Sequence, residues 1–88
     1  MTCAVVYANI AYMQRSLEVL IVAEVRAEIA RQGVTAAAIA RSAGMTQSSL
    51  SRRLRGLQPL SAGELVLICE ALGLQASEMV RRAEAVAA

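Results

Sequence analysis

The segment from Val34 to Pro59 most constrains the fold, because it holds two short helical patterns separated by a single glycine. Thr35 and Thr46 each stand just before one of the patterns, and threonine is a favoured N-cap residue. Gly44 lies between the patterns, where glycine can adopt the left-handed conformation that ends a helix. The spacing therefore predicts two short helices joined by a tight turn.

The second helix is predicted over Gln47 to Arg55, with an apolar face and a polar face. Leu50 and Leu54 are four residues apart, so they share the face that turns to the core. The opposite face carries polar and basic side chains, which are Gln47, Ser48, Ser51, Arg52 and Arg55. Such side chains can hydrogen-bond to base edges and to phosphates. The pattern indicates a helix that lies in a DNA groove.

The positive charge is concentrated on this part of the chain. The net charge is only +2, but no acidic residue occurs between Glu28 and Glu64. Five arginines lie in that interval, namely Arg31, Arg41, Arg52, Arg53 and Arg55. A solvated arginine face would also account for them, although the interval offers no glutamate one helical turn away to pair with. A local basic surface is what binding to phosphates requires.

These residues resemble the lambda-repressor-like family of helix-turn-helix domains, which includes phage Cro proteins, phage repressors and xenobiotic-response-element-type regulators. The likeness covers about residues 34–78 and continues after the second helix in Pro59, Ser61, Glu64-Leu65, the ICEALGL stretch and Glu78-Met79. It implies an all-α, compact five-helix bundle. It also implies a sequence-specific, double-stranded DNA-binding transcriptional regulator of the Cro-like or repressor-like type, which binds the major groove as a homodimer.

The resemblance also implies which residues touch DNA. It places Gln47, Ser48 and Arg52 at base edges, with Ser51 beside them, and the remaining contacts at phosphate or sugar. The full predicted set is Thr35, Gln47, Ser48, Ser49, Ser51, Arg52, Arg53, Arg55 and Gln58, with the Leu57-Gln58 loop on the backbone. The chain departs from the family where Arg53 and Leu54 replace an apolar and an acidic residue, which moves the core position to Leu54. Ala36 stands where many members have a phosphate-binding glutamine, so that contact is either missing or supplied by Thr35.

Three further helices are predicted around this unit. Residues 15–32 form an amphipathic first helix that ends at Gly33 and carries Leu17, Ile21, Val25 and Ile29 on one face. Residues 62–72 form a fourth helix behind a capping box of Ser61 and Glu64. Residues 76–86 form the last helix, with Met79 inward and with Arg81 and Arg82 paired to glutamates. Without Phe or Trp, the core must be aliphatic.

Residues 1–13 are predicted as an apolar extension, and residues 14–88 as the DNA-binding domain. Val5, Val6, Tyr7, Ile10 and Tyr12 favour a strand, whereas a 4-3-4-3 spacing of apolar residues from Val6 to Leu20 favours a backward extension of the first helix. A poorly ordered extension is the third alternative. An apolar segment of this kind is a candidate dimer interface, with Met79, Val80 and Val86 of the last helix as the alternative surface.

The composition argues against catalysis and against a bound cofactor or metal ion. His and Asp are absent, and Cys3 and Cys69 are too few for a metal site or a disulfide framework. Cys69 is predicted as a small buried hydrophobe, and the cysteine usage indicates a reducing, cytoplasmic location. No stretch is typical of a membrane span or a signal peptide. The competing function is a protein-interaction module, such as a toxin-neutralising antitoxin or an antirepressor.

Overall fold

The structure, a computed structural model, describes the backbone of residues 3–87 and the side chains of residues 17–87. The described backbone forms five α-helices: α1 (Cys3–Gln32), α2 (Ala36–Ala43), α3 (Gln47–Leu54), α4 (Ala62–Ala71) and α5 (Ala76–Ala87). No strand occurs in residues 3–87. This arrangement confirms the predicted all-α, five-helix bundle.

The first helix is much longer than the predicted span of residues 15–32. Its backbone is helical from Cys3 onward and ends before Gly33, which has a φ of 70°. A helix of 30 residues is about 45 Å long, and it accounts for most of the longest dimension of the molecule, 49 Å. Of the three alternatives for the N-terminal segment, the structure therefore agrees with a first helix that extends backwards, here to Cys3. The prediction for residues 1 and 2 lies outside the described residues.

One aliphatic core joins the helices, as the composition predicted. Leu50, Ile68, Met79 and Val25 are fully buried and come from four different helices. Leu54 is also buried, which confirms that the core face of α3 passes through Leu54. Cys69 is fully buried as predicted, and burial raises the pKa of its thiol. Within residues 3–87 no helix has both the length and the apolar composition needed to cross a membrane.

The burial of Met79 corrects the predicted alternative dimer surface on the last helix. Met79 has no exposed surface, because α5 packs against α1 along this face. Val80 is partly buried against the core. Val86 remains 59% exposed near the end of α5. Met79 therefore cannot contribute to an interface of the folded domain, and only Val86 of the three predicted residues is well exposed.

A buried carboxylate fixes α5 to α1. Glu28 of α1 is 6% exposed, and its Oε1 accepts a hydrogen bond from Arg82 of α5 at 2.8 Å. Gln32 donates to the other Glu28 oxygen at 2.8 Å and to the Leu72 carbonyl at the end of α4 at 2.7 Å. These bonds from Gln32 and then Arg82 lower the pKa of Glu28. The cluster ties the end of α1 to the end of α4 and to the middle of α5.

Candidate nucleic-acid interface

Helices α2 and α3 form the predicted helix-turn-helix unit, and local hydrogen bonds define both helix starts. Thr35 Oγ1 accepts from the Ala38 amide at 3.1 Å, and Thr46 Oγ1 accepts from the Ser49 amide at 3.0 Å. Gly44 has a φ of 73°, which permits the sharp turn between the helices. Both N-caps and the glycine turn are therefore confirmed.

The structure fixes α3 from its inner side and from its end. Leu50 and Leu54 anchor the helix in the core. Arg26 of α1 donates from its guanidinium to the Leu54 carbonyl at 3.2 Å, which satisfies one of the unpaired carbonyls at the end of α3. The outer face of α3 is thus presented on a helix that cannot rotate freely.

A shallow depression of about 380 Å³ runs along the outer face of α3. It is lined by Gln47, Ser48, Ser51, Arg52, Arg55 and Leu57. No acidic side chain among the described residues lines it, and neither Arg52 nor Arg55 has an acidic partner within residues 17–87. The five polar residues that the sequence assigned to the DNA-facing side therefore lie together, on a positively charged surface.

The other predicted residues of this region form a second cluster, on the side of α3 that faces α4. Arg53 binds Glu64 of α4 through two contacts of 2.9 Å, and the two side chains are only 18% and 26% exposed. The same guanidinium donates to the Ser49 hydroxyl and carbonyl oxygens and to Gln58 Oε1 at 3.3 Å. The Ser61 amide and then Arg53 lower the pKa of Glu64. Ser49, Arg53 and Gln58 thus lie around a partly buried ion pair, apart from the depression.

Thr35 lies at a third place, the exposed N-terminus of α2. Its hydroxyl oxygen accepts the Ala38 amide, which leaves the hydroxyl hydrogen available to an outside acceptor. The first turn of a helix also presents unpaired amides and a partial positive charge. This helix end can therefore bind an anion such as a phosphate.

Three residues of the site were not in the predicted set. Arg26 and Leu54 are 28 residues apart in the sequence, and Arg53 and Glu64 are 11 apart. Neither separation is the three or four residues that would reveal a pair on one helix. Leu57 was predicted only as part of a backbone-binding loop. Its signal is local, since an apolar residue directly after Gly56 is typical of a helix C-terminus that ends in a left-handed glycine.

The comparisons with known proteins agree with this geometry. A family model described as "Helix-turn-helix domain" matches residues 20–83, which is well over half of the chain. The chain therefore belongs to the helix-turn-helix family, and the match confirms the resemblance drawn from the sequence. Such domains are characteristic of DNA-binding regulators of transcription.

Two solved structures of one regulator are similar to this chain. Both are crystal structures of the clp gene regulator ClgR from Corynebacterium glutamicum. The first is 28% identical with a TM-score of 0.73 and covers 82% of this chain and 94% of its own. The second is 27% identical with the same TM-score and covers 80% of this chain and 74% of its own. No curated protein matches the chain.

Proposed function

We propose that this protein is a transcriptional regulator that binds double-stranded DNA at specific operators, as a Cro-like or repressor-like homodimer in the cytoplasm. The observation that carries this proposal is the depression on α3. It combines hydrogen-bonding side chains with Arg52 and Arg55, on a helix whose inner face is buried in the core and whose outer face is open. Helices of this kind enter the major groove in helix-turn-helix proteins.

In this proposal α3 contacts the bases, and its neighbours contact the backbone. Arg52 donates two hydrogen bonds to guanine, and Gln47 pairs with adenine, because their donors and acceptors match those base edges. Ser48 and Ser51 complete the base contacts. Arg55, at the end of the helix, contacts a phosphate. The Thr35 end of α2 binds a second phosphate through its free amides.

Arg53 has a different role in this proposal from the one that the resemblance implied. Its guanidinium already contacts Glu64, Ser49 and Gln58 and its side chain is only 18% exposed, so a phosphate would have to compete with these partners. We assign it to positioning, because it joins the last turn of α3 to the start of α4. Gln58 keeps its amide NH₂ group for a phosphate, since only its oxygen accepts from Arg53.

The proposal includes a homodimer because one helix of eight residues contacts too few base pairs to define an operator. The N-terminal part of α1 is the proposed interface. Residues 3–19 of α1 precede the segment matched by the family model, and the sequence gives Val6, Ile10, Met13 and Leu17 the spacing of a helix seam. Leu17, the last residue of this series, is only partly buried within one copy of the chain, so part of its apolar surface is open to a partner.

The direct test is enrichment of random double-stranded DNA by the purified full-length chain. We expect one motif with two-fold symmetry and half-sites about 34 Å apart, or one helical turn. Ile10→Glu should lower both the mass measured by light scattering and the affinity for the operator. Val86→Glu is the matched control on the last helix and should leave both unchanged.

The control for the DNA surface is Arg81→Ala, which removes an exposed arginine far along the chain from α3. Arg81 is bound to Glu78 of its own helix, so its loss should not alter enrichment. Failure to enrich any sequence would reject the proposal and favour the protein-interaction module. A motif without symmetry, bound by a monomer, would reject the dimer alone.

A further inference from the structure

Each of the helices α1 to α4 is followed by a glycine with positive φ and then by an apolar residue. At α2, α3 and α4 the helix ends also share one backbone hydrogen bond. The amide of the apolar residue donates back to a carbonyl in the last turn of the helix, as in the Schellman motif. The three bonds are Met45 to Ala40 at 2.8 Å, Leu57 to Arg52 at 2.9 Å and Leu74 to Cys69 at 2.8 Å.

Two of these apolar residues are used in the ordinary way. Met45 after α2 and Leu74 after α4 are partly buried and pack against the core. The helix residues to which they are bonded, Ala40 and Cys69, are buried as well. Such an apolar contact commonly accompanies this kind of helix end. At α2 and α4 the residue after the glycine therefore stabilises the fold.

Leu57 after α3 differs from both. It is 64% exposed, and the helix residue to which its amide is bonded is Arg52, which is polar and exposed. Its side chain lines the depression together with Gln47, Ser48, Ser51, Arg52 and Arg55. The hydrogen bond to Arg52 and the φ of 78° at Gly56 fix the backbone that carries it. An apolar side chain is thus held among groups suited to hydrogen bonds, and the fold does not bury it.

We propose that Leu57 is a specificity-determining residue that contacts the 5-methyl group of a thymine in each half-site of the operator. The inference rests on the proposed function, because it requires α3 to lie in the major groove. The thymine methyl is the apolar group that the bases present in that groove. A leucine side chain has no donor or acceptor for a phosphate or a base edge, so apolar contact is its available interaction.

The experiment compares operators that differ by one methyl group. In the sequence enriched by the full-length chain, each thymine in turn is replaced by deoxyuridine, which pairs identically but lacks the methyl. We expect one such position per half-site to weaken binding by the wild-type chain about fourfold per half-site, the effect of one buried methyl. The Leu57→Ala variant should bind the thymine and deoxyuridine versions of that position equally well.

Val66→Ala is the matched control, since Val66 is an aliphatic residue that is 43% exposed on α4, outside the depression. It should keep the full sensitivity to deoxyuridine. Leu57→Gln, which keeps the size but not the apolar character, should behave like Leu57→Ala and covers the case in which alanine loosens the loop.

Two results would overturn the inference. In the first, Leu57→Ala keeps the wild-type sensitivity to deoxyuridine at every position. In the second, Leu57→Ala weakens binding to all sequences alike, and the wild type binds equally well with and without each thymine methyl. Leu57 would then contact the sugar instead of a base. Both results require that the chain binds an operator. A failure of the proposed function would instead appear as the absence of any enriched sequence.

Discussion

Helices α3 and α5 are alike on their inner faces. Each buries two residues four positions apart, Leu50 and Leu54 in α3 and Met79 and Ala83 in α5. Each helix is also joined to α1, α3 through Arg26 and α5 through the Arg82–Glu28 ion pair. The same arrangement of buried residues therefore fixes both helices in the bundle.

Their outer faces differ, although both carry arginines. In α5, Arg81 and Arg82 bind Glu78, and together they lower the pKa of that carboxyl group. In α3, Arg52 and Arg55 have no acidic partner among residues 17–87. Arginine content alone does not distinguish a DNA-binding helix from a structural one. The position of the glutamates does, because a carboxylate offsets the positive charge of a paired guanidinium and occupies donors that could bind a phosphate.

The largest expected effects test the similarity of the inner faces. Leu50→Ala and Met79→Ala each remove a fully buried side chain from a close-packed core. Each should lower the free energy of unfolding by about 2 to 5 kcal/mol, measured by urea denaturation. A nearly neutral Leu50→Ala would mean that α3 is not anchored as described.

The next effect tests the outer face of α3. Arg52→Ala should cost about 1 to 3 kcal/mol of binding free energy and relax the preference at one base pair, because a guanine contact is lost. Arg55→Ala should weaken all sequences to a similar extent, since it removes a phosphate contact. Titration of both variants against operators with single base changes separates the two roles. Equal loss of specificity in both variants would contradict the assignment.

A smaller effect is expected from the ion pair between α3 and α4. Arg53→Gln and Glu64→Gln should each weaken operator binding several-fold, because each breaks the ion pair that joins α3 to α4. The double variant should be no worse than either single variant. If Arg53 contacted a phosphate instead, Arg53→Gln would lower the salt dependence of binding and Glu64→Gln would not.

The smallest effect concerns pH. The pKa of Glu28 is lowered in the folded state, so its contribution to stability is present above the ordinary carboxyl pKa and is lost as pH falls through the lowered value. The melting temperature of the wild type should therefore decrease as the pH is lowered below about 4.5. Glu28→Gln should lower the melting temperature at neutral pH and reduce its dependence on pH in the acid range. An unchanged acid dependence would assign that dependence to Glu64 and Glu78.

Local features of this fold could be predicted from the sequence. The N-caps Thr35 and Thr46, the turn at Gly44 and the capping box of Ser61 and Glu64 depend on neighbours within four residues, and all were confirmed. The start of α1 could not be predicted, because Val5, Val6 and Tyr7 suit a strand as well as a helix. The partner of Arg53 could not be predicted either, since it depends on where the fold places the start of α4 relative to α3.

The central claim is that Arg52 and Arg55 meet bases and phosphates, whereas Arg81 and Arg82 of α5 are paired with glutamates of the fold. The most direct test is the dependence of operator affinity on salt concentration for wild type, Arg55→Ala and Arg81→Ala. Each lost phosphate contact should reduce the slope of log affinity against log salt by about 0.9. We expect that reduction, once per half-site, for Arg55→Ala and a wild-type slope for Arg81→Ala. A wild-type slope for Arg55→Ala, or a reduced slope for Arg81→Ala, would contradict the account.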